Sequence, residues 1–238
     1  MGCAPHLDAP FRGDVGFKGI DVTNDTIRTL NRIGIIPAVV DDEKCCAHDY
    51  LWRGEKGVFE AFGRQNAEAL REYDSIITAC PECYRTLAVE YRDLLGIKLN
   101  VKHISQVCSE HLDKIKSKDR GAVTYHDSCR LGRFMNVYEE PRKVLEKAGY
   151  KVLEMADNRE DALCCGVPTW VSCNDENKKI REKKLEDAVA TGAKRLVVPC
   201  PKCEIHLKCL QVDKSEQGRY PIEIVNLSTL ISESLEED

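Results

Sequence analysis

The sequence predicts an α/β protein built twice over. It should form two tandem-duplicated subdomains, residues 1–118 and 119–238, each with a parallel sheet and with cysteines at the carboxyl ends of its strands. Two observations carry the prediction. The first is the order of the cysteines: Cys3, the doublet Cys45–Cys46 and the pair Cys80/Cys83 recur as Cys129, Cys164–Cys165 and Cys200/Cys203, at offsets of 126, 119, 119, 120 and 120 residues. The flanking text repeats with them. "IITACPECYRTL" parallels "LVVPCPKCEIHL", and "LNRIGIIPAVVDDEKCCA" parallels "LEKAGYKVLEMADNREDALCCG". The second observation is that short β-rich runs alternate with amphipathic helical runs along the whole chain.

Taken in order, the first half gives helix "NDTIRTLNRIG", strand "IIPAVV", helix "VFEAFGRQNAEALREY" and strand "SIITA" running into CPEC. The second half gives strand "AVTYH" (122–126), helix "EEPRKVLEKAG" closing on Gly149 and strand "YKVLEM" (150–155). The long helix "ENKKIREKKLEDAVATGA" and strand "RLVVP" (195–199) then run into Cys200. Strands joined by helices imply right-handed crossovers and parallel, Rossmann-like sheets, in which ligands gather where the strands end. Each cysteine group of the second half follows a predicted strand, so the groups can converge. The first half differs at its start. Only Met1 and Gly2 precede Cys3, so the strand equivalent to 122–126 is expected to be missing, leaving that sheet one strand short or completed by another chain. The run "KIKSKDR" reads as the linker between halves.

Composition narrows the function. A chain of 238 residues with 42% hydrophobic and 32% charged residues reads as globular and soluble. A net charge of -5 and a pI near 5.8 give no basic footprint for nucleic acid. The start "MGCAPHLDAP" lacks a signal-peptide pattern, and the longest apolar run, "IGIIPAVV", is too short to span a bilayer, so a cytoplasmic location is expected. "MGC" hints at myristoylation, but His6 stands where that pattern wants Ser or Thr. The thirteen cysteines are the unusual feature. In a reducing compartment they point to metal binding or redox chemistry, and an odd number cannot form a fully paired disulfide framework.

The chemistry of the ten repeated cysteines is that of a thiolate metal site. Pro81 and Pro201 suit the first position of a helix, where free backbone N–H groups and the positive dipole end favour thiolates. Five thiols per half exceed the four that tetrahedral zinc or a cubane [4Fe–4S] cluster takes, which favours iron–sulfur and leaves zinc as the alternative in one half. Adjacent cysteines in extended backbone point to opposite faces. Both members of a doublet reach one centre only through a sharp turn, for which Gly166 is suited and Ala47 is not unless its φ stays negative.

The arrangement C-x34-CCG-x33-CPKC, with Cys129, Cys164, Cys165, Gly166, Cys200 and Cys203 in its fixed positions, resembles the cysteine-rich CCG domain. That domain occurs as a tandem pair in the B subunit of heterodisulfide reductase, in the equivalent part of the D subunit, and in lactate, glycolate and anaerobic glycerol-3-phosphate dehydrogenase iron–sulfur subunits. The resemblance covers almost the entire chain. It implies a non-cubane [4Fe–4S] cluster in each half. Cys3, Cys45, Cys46, Cys80 and Cys83 would hold one and Cys129, Cys164, Cys165, Cys200 and Cys203 the other, with a disulfide cleaved at one such cluster. It further implies a role in methanogenesis-type CoM–CoB heterodisulfide reduction. The partners implied are a ferredoxin-like iron–sulfur protein, similar to the C subunit of that reductase, with a flavin subunit or membrane cytochrome beyond it, in a cytoplasmic or membrane-associated complex. The first half departs from the pattern in its longer gap after Cys3 and in CCA for CCG.

The chain carries neither a C-x2-C-x2-C-x3-C ferredoxin run nor a GxGxxG fingerprint, so electrons must come from a partner. Competing readings are an electron-transfer subunit of a flavin-dependent lactate, glycolate or glycerol-3-phosphate dehydrogenase, a zinc-stabilised scaffold, and a thiol redox sensor. Among lesser candidates, His126, with Asp127 and Ser128, stands before Cys129 as a candidate relay or a loop cap. His48 and His206 read as near-site or surface residues, and Arg130, Arg133 and Lys202 as attractors of an anionic substrate or as solvated charges. Cys108, Cys173 and Cys209 read as small buried hydrophobes, and the helix "NKKIREKKLEDAVATGAKR" as a solvent face or docking surface.

Overall fold

A computed structural model describes residues 2–167, 169 and 173–235. In the first half, helices α1 (Ala4–Val15), α2 (Gly19–Arg32), α3 (His48–Trp52) and α4 (Lys56–Leu70) precede strand β1 (Ile76–Thr78). Then come α5 (Pro81–Arg85) and α6 (Tyr91–Leu95), joined through a π turn at Thr86–Glu90, strand β2 (Val101–His103) and α7 (Ile104–Glu110). The second half has β3 (Ala122–Tyr125), α8 (Glu139–Lys147), β4 (Lys151–Val152), α9 (Asp175–Ala190), β5 (Arg195–Val198), α10 (Pro201–Val212), β6 (Glu223–Asn226) and α11 (Leu227–Leu235).

All strand pairs are parallel, in one sheet ordered β4-β3-β5-β6 and one of β1-β2. The second half is thus the doubly wound unit that the alternation predicts, and β1-β2 reproduces its β5-β6 portion. Shared local chemistry underlies the likeness. Helices α2 and α8 both stop at a left-handed glycine, Gly34 and Gly149. In each case the next residue's N–H closes back on the helix, Ile35 to Leu30 O at 2.9 Å and Tyr150 to Leu145 O at 3.0 Å.

Two strands of the first half are not formed. Among the described residues none stands in the place of β3, and 35–40 ("IIPAVV") carries no ladder although it reads as a strand. Its Pro37 falls where Val152 stands in the repeat and removes a ladder donor, and among the described residues no strand lies beside it to pair with. The strands β2 and β6 escape the periodicity analysis; both are short alternating runs, "VKH" and "EIVN", that lead straight into a helix.

The halves interlock. The last helix of each packs on a helix of the other, α11 on α2, while α7 lies against α8. One apolar core accordingly mixes Leu30, Ile33, Ile104 and Val107 with Val123, Val144, Leu230 and Ile231. Among the described residues no helix is long and apolar enough to cross a membrane.

Candidate metal centre

Strand ends and helix starts deliver the cysteines. Cys80 and Cys200 cap α5 and α10 with the same extended backbone, φ/ψ of -120°/119° and -124°/124°, and Pro81 and Pro201 are the first helical residues, as their position in CPEC and CPKC predicts. Cys83 and Cys203 follow within the first turn, both buried. The doublets arrive on loops and then turn through a left-handed residue, Gly166 at φ 77° and Ala47 at φ 64°. Gly166 N–H donates to Cys164 Sγ at 3.4 Å, and the Ala47 N–H serves Cys45 in the same way. Alanine thus occupies the left-handed region in the first half, where it carries strain that glycine would not.

All ten repeated cysteines come together. In the first half free thiols are hydrogen-bonded in series, Cys3 with Cys45, Cys45 with Cys46, Cys46 with Cys83 and Cys83 with Cys80. In the second half the order is Cys129, Cys164, Cys165, Cys203, Cys200. Cys80 and Cys200 also touch, so the two sets form one continuous chain of thiols. Each doublet's first sulfur becomes the thiolate. Hydrogen bonds from Cys3 and Cys46 draw Cys45 down to about 3, and those from Cys129 and Cys165 draw Cys164 down to about 2. Their partners Cys3, Cys46, Cys129 and Cys165 are driven up, first by that same bond and then by burial. Five sulfurs packed this closely share protons until a thiophilic cation replaces them. The donor set therefore fits an iron–sulfur centre, with softness and number both in its favour.

Around the thiols the side chains are mostly structural. His126 is fully buried with no hydrogen-bond partner among the described residues at either ring nitrogen, and it lies with Cys165 and Cys203 inside a 4.8 Å group. Burial first, then Lys184, drives its pKa down to about 3, so it is neutral. Asp127 is the anchor of the trio. Both its oxygens accept from Arg142 at 2.8 Å, and Oδ2 also accepts the Arg159 N–H. Ser128 Oγ stands 3.9 Å from Cys203 Sγ.

The seam between halves holds a buried charge cluster that sequence reasoning does not find. Lys202 Nζ donates to Asp49 Oδ1 and lies against Glu82 Oε2, both at 2.6 Å. Glu82 and Lys202 are the variable residues of CPEC and CPKC, and their opposite signs at equivalent positions were the available signal. Lys202 is therefore neither solvated nor a substrate attractor, and its ammonium supplies the cation for the His48–Asp49–Glu82 group. Arg133 is likewise occupied, with Nη1 donating to the carbonyls of Glu160 and Ala162. Arg130 remains. Its guanidinium lies 3.8 Å over Trp52 of the first half and 4.6 Å from Phe134 of the second, with Arg85 4.4 Å over Phe134; its Nη1 has no partner among the described residues.

Three other readings change. Of the near-site and surface alternatives for His48 and His206, burial of both removes the surface one. Cys108 is a core residue as expected, but Cys173 is exposed and accepts from Arg181 Nη2 at 2.8 Å, and Cys209 is half-buried. Helix α9 is not wholly a solvent face: Arg181, Lys184, Leu185 and Ala188 are buried, the two cations using their long stems as apolar packing.

Comparison with known proteins places the chain. A family described as a cysteine-rich domain, CCG, matches it twice, over residues 16–88 and 123–208, and the chain belongs to that family. The first match begins beyond Cys3, where the repeat is incomplete. The B subunit of the CoM/CoB fumarate reductase of Methanothermobacter marburgensis is 30% identical over 228 residues, covering 94% of this chain and 45% of its own length. The D subunit of the dihydromethanophenazine:CoB–CoM heterodisulfide reductase of Methanosarcina acetivorans is 32% identical over 236 residues, covering 92% and 56%. An EtfAB:quinone oxidoreductase of Syntrophomonas wolfei is 29% identical over 218 residues, covering 85% and 29%. The chain spans about half the length of the first two relatives.

Proposed function

We propose that this chain is the iron–sulfur subunit of a multi-subunit anaerobic oxidoreductase that reduces a disulfide of the CoM–CoB heterodisulfide type. In this reading Cys3, Cys45, Cys46, Cys80 and Cys83 hold one [4Fe–4S] centre. Cys129, Cys164, Cys165, Cys200 and Cys203 hold a second, both of the non-cubane kind that the family resemblance implies. The observation that carries the reading is the unbroken chain of ten thiols. When bound, the centres supply one-electron transfer. Cleaving a disulfide takes two electrons and two protons and yields two thiols, and the Cys80–Cys200 contact puts both sets side by side for such a demand. Arg130, next to Cys129 and stacked on Trp52, is the side chain suited to hold a carboxylate, phosphate or sulfonate of the substrate. Neutral His126 packs against Cys165 and Cys203 as an uncharged neighbour and is too weak a base to carry a proton near neutral pH. Electrons come from a ferredoxin-like partner, and the seam of the two halves is where substrate enters.

Protein purified without oxygen and given reduced viologen dye plus CoM–CoB heterodisulfide tests this. Dye oxidation with release of two thiols per disulfide is expected. The quinone-linked relative favours a second reading, electron transfer for a flavin-dependent lactate, glycolate or glycerol-3-phosphate dehydrogenase. Reduction of the centres by such a flavoprotein, with no thiol released, selects that one. A colourless protein holding zinc removes both.

A further inference from the structure

Two buried polar groups of the second half carry needs that their protein neighbours do not meet, and both stand close to Cys165. The first is His126. Its backbone N–H donates to Val197 O at 2.9 Å, tying it to β5, and the next residue, Asp127, is clamped by Arg142, so the imidazole is held where it lies. There it is fully buried, and neither Nδ1 nor Nε2 finds a partner among the described residues, although a ring nitrogen lies within 4.8 Å of the sulfurs of both Cys165 and Cys203. A buried imidazole ordinarily spends its N–H on an acceptor.

The second is Lys184, fully buried on the inner face of α9 with Leu185 and Ala188. Its ammonium donates to Met155 Sδ at 3.6 Å, a weak acceptor, and forms no ion pair among the described residues. Asp187, Asp127 and Asp157 act on it only from a distance, and Asp127 is already neutralised by Arg142. A buried ammonium calls for an anion, since the interior does not replace the water it has lost. An anionic centre on the second cysteine set would answer both groups. Met155 packs in one core with Cys165, Cys200 and Cys203, and the charge of Lys184 is felt at both His126 and Cys165.

We propose that His126 and Lys184 serve the second centre from beyond its thiolates, the imidazole donating its N–H to a sulfur and the ammonium supplying a buried positive charge, and that together they raise its reduction potential. The inference deepens the reading that Cys129, Cys164, Cys165, Cys200 and Cys203 hold an iron–sulfur centre, and rests on it. Reduction makes such a centre more negative, so a hydrogen bond to sulfur and a nearby cation favour the reduced form over the oxidised one. The buried cation that acts on the first set, Lys202, already faces the carboxylates of Asp49 and Glu82. The second centre is therefore the more oxidising of the two and the one on which electrons collect.

A redox titration followed by electron paramagnetic resonance tests the pair, on oxygen-free Cys45→Ser/Cys46→Ser protein, which on the two-site reading keeps the second centre alone. In that background Lys184→Met and His126→Phe should each lower the midpoint potential, and His126→Asn, which keeps an N–H, should restore most of the fall. Lys184→Met should also raise the urea midpoint of the metal-free protein, because it removes a buried ammonium that has no anion there. A lysine with only a structural role would lower it. Unchanged potentials in variants that hold iron overturn the proposal, and so does a lower urea midpoint for metal-free Lys184→Met. An iron-free background counts instead against the cluster reading itself, and the metal-free melts still decide the role of Lys184.

Discussion

Ala47 and Gly166 occupy equivalent turns, both left-handed, and both present a doublet of cysteines to one site. The cost falls only on the alanine, so Ala47→Gly should stabilise the protein by about 1 kcal/mol, read from the urea midpoint at constant slope. Gly166→Ala should do the reverse and more. A Cβ there meets Asn177 O at 2.8 Å and Arg181 Cγ at 3.2 Å, on top of the unfavourable φ. The identity of the ten cysteines was legible because spacing repeats independently of fold. What was not legible at this scale is conformation: the sequence shows that Ala47 replaces a glycine, but only the backbone shows that φ remains positive. The buried His126, Lys184 and Lys202 were also hidden, since polar residue types read as surface unless their partners are known.

Helix α7 illustrates an element whose cap sets a pH limit. His103 accepts the Ser105 N–H at Nδ1 while its own backbone N–H is taken by Gln106, a reciprocal cap. Burial holds this imidazole at about 4 against an ordinary 6.5, so the folded state keeps it neutral. Unfolding then takes up a proton between those values. The contribution of His103 is complete above about pH 6.5 and is lost as pH falls to about 4, at about 1.4 kcal/mol per pH unit. Melts of the wild type and His103→Asn between pH 7 and 4 check it: the variant should lose stability less steeply by about one proton. Elements with strong periodicity, such as α2, α4 and α8, were readable from sequence. The strands β2 and β6 were not, being only three and four residues long, and "IIPAVV" misled because its apolar character was real while no ladder partner lies beside it among the described residues.

The molecule as a whole is held by exchange between its halves: α11 on α2, α7 by α8, Trp52 stacked with Arg130, and Lys202 set between Asp49 and Glu82. Removing the cation takes the ammonium away from the buried carboxylates of Asp49 and Glu82, so Lys202→Met should cost about 3–5 kcal/mol. Adding Asp49→Asn and Glu82→Gln should recover most of that loss; equal losses in the single and triple variants would show that the seam is not electrostatic. Duplication and fold class were visible in the cysteine order. The interlocking was not, because contacts across the seam pair residues far apart in sequence whose only advance sign is the Glu82/Lys202 inversion of charge.

Iron and acid-labile sulfide analysis of oxygen-free protein, with electron paramagnetic resonance, bears most directly on the claim that the ten thiols are two cluster sites. Wild type should hold about eight irons and eight sulfides, and Cys45→Ser/Cys46→Ser and Cys164→Ser/Cys165→Ser should each retain about half. Zinc without sulfide in the wild type, or full iron content in either double variant, contradicts the account.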